Sequence, residues 1–146
     1  MSAPKIGVVS CSGEGRVEGT VSRIATRLVM DRLRPDNTVT ICLPLFLAGE
    51  EGERMFAKYF PTIAVDGCNK KCAKKSIEKY SGKTADSIVV SKLLKKWNME
   101  EPKSRRELDK EGVETALKVA EHIAASMDQI FASGKSNKRS KNNAKV

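Results

Sequence analysis

The sequence predicts an α/β fold, a three-layer sandwich of the Rossmann-like or flavodoxin-like kind, whose four-stranded sheet is mainly parallel. Short runs of β-branched residues alternate with segments of helical periodicity, and this alternation is typical of parallel sheets. Glycine, proline and asparagine stand where one run gives way to the next. The 146 residues are 40% hydrophobic, which fits one domain with a packed core.

The first strand is predicted over residues 5–10, a short β-branched run without a helical period. A glycine-rich loop, residues 11–15, follows it directly. A helix is then predicted from Val17, because apolar residues recur at spacings of three and four, and Pro35 ends it. The loop therefore lies at the carboxyl end of the first strand.

The middle of the chain contains two further predicted strands. Residues 38–43 are rich in β-branched residues, and Pro44 prevents their continuation as a central strand. Residues 50–60 have the pattern of a short amphipathic helix. The third strand is predicted over residues 62–65.

The next helix is predicted to run from an Asn69 N-cap to about Tyr80. Asp66 is expected to cap the same helix, with hydrogen bonding beside a metal ligand as the alternative. The fourth strand is predicted over residues 86–91. Residues 93–98 fit either a short helix or a segment that faces the site.

A long helix is predicted near the carboxyl end of the chain. Ser104 and Glu107 have the spacing of a capping box, and apolar residues recur from there to Phe131. Residues 1–134 are therefore predicted to form a single α/β domain. Residues 135–146 are rich in Lys, Ser and Asn and are predicted to be a disordered basic tail.

Positive charge is concentrated in that tail. The chain has 27 Lys and Arg against 18 Asp and Glu, and five of its nine net positive charges lie in residues 135–146, which leaves +4 for the rest. No aromatic residues interleave the basic ones, so the tail is expected to solubilise the protein rather than to bind nucleic acid. No apolar run approaches the roughly 20 residues of a membrane span. With no signal-peptide pattern at the N-terminus, we expect a cytoplasmic protein without a membrane partner.

The candidate site residues are the four cysteines, Cys11, Cys42, Cys68 and Cys72. Cys11 follows the first predicted strand, Cys42 lies at the end of the second, Cys68 follows the third, and Cys72 comes one helical turn later, so all four fall at the carboxyl edge of the sheet, where α/β folds place their ligand sites. Four thiols that converge in a reducing cell favour one tetrahedral Zn²⁺ ion. An iron–sulfur cluster on the same ligands is the alternative cofactor, and the lack of a dense run of cysteines favours zinc.

The positions of the cysteines and a short motif beside them resemble those of a known family. Asp66, Gly67 and Cys68 form an Asp-Gly-Cys motif, Cys72 follows it, Cys11 begins a loop after the first strand, and Cys42 ends the second. This arrangement resembles the DGC family, which is named for the motif and is characterised by four cysteines taken to hold zinc. The resemblance covers about residues 5–130. It implies zinc binding by the four cysteines and no particular reaction, substrate or partner, so whether the protein is an enzyme stays open.

Two enzyme motifs are excluded because the spacing between their residues does not match. Cys11 and Arg16 suggest a phosphate loop like that of the low-molecular-weight tyrosine phosphatases, but they stand one residue too close for the loop to wrap a phosphate. Gly13, Gly15 and Gly19 miss the dinucleotide fingerprint by one residue at the third glycine. These glycines are expected to serve the turn and the packing of the helix.

A thiol redox enzyme is the main alternative function. Cys68 and Cys72 lie near a predicted helix N-terminus beside lysines, which is typical of reactive cysteines, and Cys11 would be the resolving partner. The sequence identifies no small-molecule or protein partner beyond the metal ion.

Overall fold

A computed structural model of the protein describes residues 3–104 and 106–134. Within them, four parallel strands form one sheet in the order β2-β1-β3-β4. The strands are β1 Ile6–Ser10, β2 Thr38–Val39, β3 Thr62–Asp66 and β4 Asp86–Val89. The predicted α/β class with a parallel four-stranded sheet is confirmed. The predicted tail, residues 135–146, lies outside the described residues.

Helices connect and cover the strands. They are α1 Val17–Leu28, which continues as a π-helical turn over Val29–Leu33, α2 Leu43–Leu47, α3 Glu51–Arg54, α4 Phe56–Tyr59, α5 Cys72–Tyr80, α6 Val90–Lys96 and α7 Lys110–Ala132. Among the described residues, none of them is both long enough and apolar enough to cross a membrane.

The sheet has an apolar core on each face. Ile6, Val8, Ile63 and Val65 point to one side and pack against α1, α6 and α7. The alternate residues, such as Val9 and Ala64, point to the other side and pack against α2, α4 and α5. This alternation of apolar residues along buried strands produces the three layers.

The register of the central strands sets the position of the first loop. Ser10 of β1 pairs with Val65 of β3, and the backbone N–H of Cys11 donates to the carbonyl of Val65 at 3.0 Å. β2 lies on one side of β1 and β3 on the other. The loop that follows β1 and the loop that follows β3 therefore lead to opposite faces of the sheet. Such a switch point opens a crevice at the carboxyl ends of the strands.

The second strand is shorter than the predicted 38–43. Pairing with β1 ends at Val39, and α2 begins at Leu43 with a proline in its first turn, a position that proline favours. The predicted helix at residues 50–60 is also wrong in detail, because the chain breaks at Met55 into α3 and α4.

The later elements differ from prediction at their ends. β4 stops at Val89 and α6 follows at once, so the segment around residues 93–98 is helical as far as Lys96. The predicted capping box at Ser104 is wrong. The N-cap of α7 is Asp109, whose carboxylate accepts the N–H of Gly112 at 2.8 Å.

Candidate functional site

Three of the four predicted thiols line one cavity. The cavity has a volume of about 490 Å³, and Cys11, Cys68 and Cys72 lie in its wall. Cys11 follows β1, Cys68 follows β3 after one residue, and Cys72 is the first residue of α5. The switch point of the sheet therefore places three of the predicted cysteines in the wall of one cavity.

Cys42 is not part of this wall. It is the N-cap of α2 and is exposed, and the residues that α2 contributes to the cavity are the apolar Leu43, Pro44 and Leu47. All four cysteines are free thiols. The structure thus places three of the predicted ligands in the wall of one cavity and the fourth outside it, directly before a helix that contributes apolar residues to the same wall.

Glycine contacts hold the two cysteine loops together. A Cβ atom on Gly67 would lie 2.4 Å from the backbone nitrogen of Gly19, in the first turn of α1. A Cβ on Gly13, whose φ is +78°, would lie 2.5 Å from the carbonyl oxygen of the same Gly19. Real Cβ atoms do not approach backbone so closely, so these positions require glycine. Gly13 and Gly19 serve the turn and the packing, as predicted, whereas nothing lies within 4 Å of a Cβ on Gly15. The contact of Gly67 with Gly19 brings the loop of Cys68 close to the loop of Cys11.

Asp66 fixes the start of α5. Its buried carboxylate accepts the backbone N–H of Ala73 at 2.7 Å and of Lys74 at 3.2 Å. The helix begins at Cys72, after Lys71 with φ 54°, so Asn69 is not its N-cap. The predicted cap by Asp66 is confirmed. Burial raises the pKa of Asp66, while the two N–H donors and the charges of nearby lysines act in the opposite direction.

Ser22 contacts the first cysteine. Its Oγ lies 3.2 Å from the Sγ of Cys11 and donates at 2.7 Å to the carbonyl of Gly19. Because that proton is given to a carbonyl, the hydroxyl offers a lone pair to the thiol. Ser22 was not among the predicted site residues. The feature that could have identified Ser22 is its position as a polar residue on the buried face of α1.

The amino-acid sequence from residue 7 to residue 123 matches a family model described as the DGC domain. The chain belongs to this family. No curated protein and no solved structure is significantly similar to it. The motif for which the DGC domain is named has a structural explanation here: its aspartate caps a helix, its glycine permits close packing, and its cysteine faces the cavity.

The charges around the thiols of this DGC domain are mixed. Arg16, Lys70 and Glu14 also line the cavity. Arg16 lies 3.5 Å from the buried carboxylate of Glu18. Glu18 in turn raises the pKa of Glu101, because the protonated carboxyl can form a hydrogen bond to Glu18 and because two carboxylate charges so close together repel each other. The cavity therefore has two cations beside its thiols, which suits an anionic centre.

No metal-binding cluster is formed by the side chains as they stand. Among residues 3–104 and 106–134, no three His, Cys, Asp or Glu side chains are grouped so that they could hold a metal ion. The side chains nevertheless suit a metal ion that binds thiolates, since three thiols of the DGC domain line one cavity. Binding of one metal ion by all four cysteines therefore requires a change in their side-chain positions.

Proposed function

We propose that the protein binds one Zn²⁺ ion through Cys11, Cys42, Cys68 and Cys72. The observation that carries the proposal is the cavity at the carboxyl ends of β1 and β3, which is lined by one thiol from the loop after β1 and two from the segment that joins β3 to the start of α5. Protein thiols are strong ligands of zinc, and the three that line the cavity are free rather than paired in a disulfide.

The charges of the cavity support a thiolate centre. Four thiolates around Zn²⁺ carry a net charge of −2, and Arg16 and Lys70 lie in the same wall. Four protein ligands leave no position for a water molecule, so the proposed site is structural or carries zinc in transit rather than hydrolytic. Because metal binding needs free thiols, we place the protein in the reducing cytoplasm.

Elemental analysis of the full-length protein, purified without chelator, tests the proposal. We expect one zinc per chain, and a loss of bound zinc in the variants Cys11→Ser, Cys42→Ser, Cys68→Ser and Cys72→Ser. Ser76→Ala is the matched control, because Ser76 lines the same cavity without a thiol. Protein that holds no metal after anaerobic purification contradicts the proposal. Iron with an equivalent of sulfide assigns the same ligands to an iron–sulfur cluster.

A thiol redox function is the second candidate. Cys11, Cys68 and Cys72 face the same space, and Cys72 is exposed at its edge. Mild oxidation of metal-free protein followed by mass spectrometry distinguishes the two functions. A single defined disulfide that a cellular dithiol reduces reversibly supports redox chemistry, whereas mixed or absent pairing favours the metal.

A further inference from the structure

The cavity beside the thiols is much larger than a single metal ion needs. Its volume of about 490 Å³ is more than ten times the roughly 30 Å³ that one water molecule occupies in the liquid. Cavities of about 300–1,000 Å³ are typical of sites for small organic molecules. The cavity therefore has room for a small organic ligand, and its lining indicates which kind.

One part of this lining is apolar. Leu43, Pro44 and Leu47 of α2 lie in the wall of the cavity. The helix packs on the sheet through the fully buried Phe46, whereas the side of Leu47 stays 45% exposed. Because the burial of apolar surface is favourable, this part of the wall suits a hydrocarbon body.

Another part of the lining carries charge. Its cations are Arg16 and Lys70 and its carboxylate is Glu14, so the charged side chains among the described lining residues have a net charge of +1. Arg16 is also the N-cap residue of the twelve-residue α1, and its side chain makes no capping hydrogen bond. The N-terminus of α1 adds partial positive charge, whereas the start of α5 is capped by the carboxylate of Asp66. The charges therefore favour a ligand with one anionic group.

We propose that this cavity binds a small organic anion, with an apolar body that packs on α2 and an acidic group that lies near Arg16 and Lys70. The inference goes beyond the proposed metal function and does not depend on it, because it rests on the cavity with its thiols free. A zinc ion with four thiolates carries a net charge of −2. Metal-free protein should therefore bind the anion more tightly than zinc-loaded protein.

Protection of the cysteines from alkylation tests the proposal, and the chain contains its own control. Cys72 and Cys42 are both exposed, but Cys72 lines the cavity and Cys42 does not. Hexanoate is the probe, and mass spectrometry of metal-free, full-length protein measures the rate at which iodoacetamide modifies each cysteine. At about four times its Kd, hexanoate should slow modification of Cys72 about fivefold, since about one-fifth of the cavities then remain empty. Modification of Cys42 should be unchanged.

Two analogues of the probe test the chemical class of the ligand. 1-Hexanol has the same chain without the charge, and acetate has the charge with almost no chain. We expect 1-hexanol to bind about 5–10-fold more weakly than hexanoate, and acetate more than about tenfold more weakly. Protection of Cys72 by 1-hexanol as strong as that by hexanoate overturns the proposal, and so does equal slowing of Cys42 and Cys72.

Variants of the wall locate the ligand within the protein. Gly15 lines the cavity, its φ is not positive, and a Cβ there would meet no atom within 4 Å, so Gly15→Leu adds a side chain to the wall without a clash. This variant should abolish the protection of Cys72 by hexanoate, and Arg16→Gln should weaken hexanoate binding about 2–5-fold. Gly52→Leu in α3 and Arg27→Gln in α1 lie outside the cavity and are the matched controls.

A result in which both cavity variants bind hexanoate as the controls do overturns the assigned site. If circular dichroism shows that Gly15→Leu is unfolded, the comparison of Arg16→Gln with Arg27→Gln decides the question.

Discussion

The carboxylate of Asp66 accepts the backbone N–H of Ala73 at 2.7 Å, and this bond links the end of β3 to the start of α5. A second bond, from the N–H of Lys74 at 3.2 Å, uses the other carboxylate oxygen. The two cysteines of the motif region, Cys68 and Cys72, lie in the short segment that this pair of bonds closes. The aspartate thus sets the geometry of a turn whose thiols face the cavity.

Replacement of Asp66 should therefore cost stability. Asp66→Ala leaves two N–H groups without their acceptor, and we expect the free energy of unfolding to fall by about 1–3 kcal/mol. Urea unfolding of metal-free protein measures this loss. Asp36→Ala, at an exposed turn, is a suitable control and should change the free energy of unfolding by less than about 0.5 kcal/mol. A loss no larger than that of the control contradicts the capping role.

Asp66 should also impose a pH dependence. Burial raises the pKa of this carboxyl above its ordinary value of 3.8, so the folded chain holds the proton more firmly than the unfolded chain. The contribution of Asp66 to stability should fall as the pH rises from 3.8 through the raised pKa. Asp66→Asn has no proton to lose and should remove this part of the profile. Identical profiles for the two metal-free proteins contradict the shift.

The close approach of Gly67 to Gly19 leads to a prediction for the variant Gly67→Ala. Because a Cβ on Gly67 would lie 2.4 Å from a backbone nitrogen, Gly67→Ala requires the two loops to separate. We expect a loss of about 1–3 kcal/mol in unfolding free energy, together with a lower zinc content. Gly52→Ala is the matched control, since nothing lies within 4 Å of its Cβ position. A Gly67→Ala protein as stable as this control contradicts the packing.

The fold and the positions of three of the four cysteines follow from local pattern. Alternating strands and helices predict the parallel sheet, and a residue directly after a parallel strand, such as Cys11, must lie at its carboxyl edge. The position of Cys42 does not follow, because it depends on where pairing of β2 with β1 stops. That point is Val39 rather than the predicted end of the run, and no local periodicity marks it.

Contacts that link distant segments are also beyond the sequence pattern. Ser22 contacts Cys11 through the packing of α1 on β1, and Arg54 of α3 donates to a carbonyl of α2. The same holds for the N-cap of α7, where the Ser104 and Glu107 spacing fits a capping box but Asp109 makes the hydrogen bond. Several residues near a helix start have suitable side chains, and tertiary packing selects one of them.

Ser22 provides a test of the site that does not alter a cysteine. Removal of its hydroxyl takes away the polar contact that holds the Sγ of Cys11 at 3.2 Å. We expect Ser22→Ala to weaken Co²⁺ binding about 10–100-fold in a titration against a competing chelator. Ser76→Ala, in the wall of the same cavity, should bind as the unmodified protein does. Equal affinity of the two variants contradicts a role for Ser22 in orienting the thiol.

The ion pair between Arg34 and Asp128 predicts a pH dependence of the opposite sign. Arg34 donates from Nε to Oδ1 at 3.1 Å and from Nη2 to Oδ2 at 2.7 Å, and so joins the end of the π-helical turn to α7. This contact lowers the pKa of Asp128 below its ordinary value of 3.8. A carboxylate with a lowered pKa stabilises the folded chain above 3.8, and this stabilisation disappears as the pH falls through the lowered pKa.

A double-mutant cycle with Arg34→Ala and Asp128→Ala measures that contribution. Both side chains are partly exposed, so we expect a coupling free energy of at most about 1 kcal/mol at neutral pH, less in high salt. The exposed pair of Arg27 and Asp31, at 3.4 Å, is the control and should show a coupling of no more than about 0.5 kcal/mol. If the coupling of Arg34 to Asp128 stays the same below the lowered pKa, the carboxylate charge is not its source.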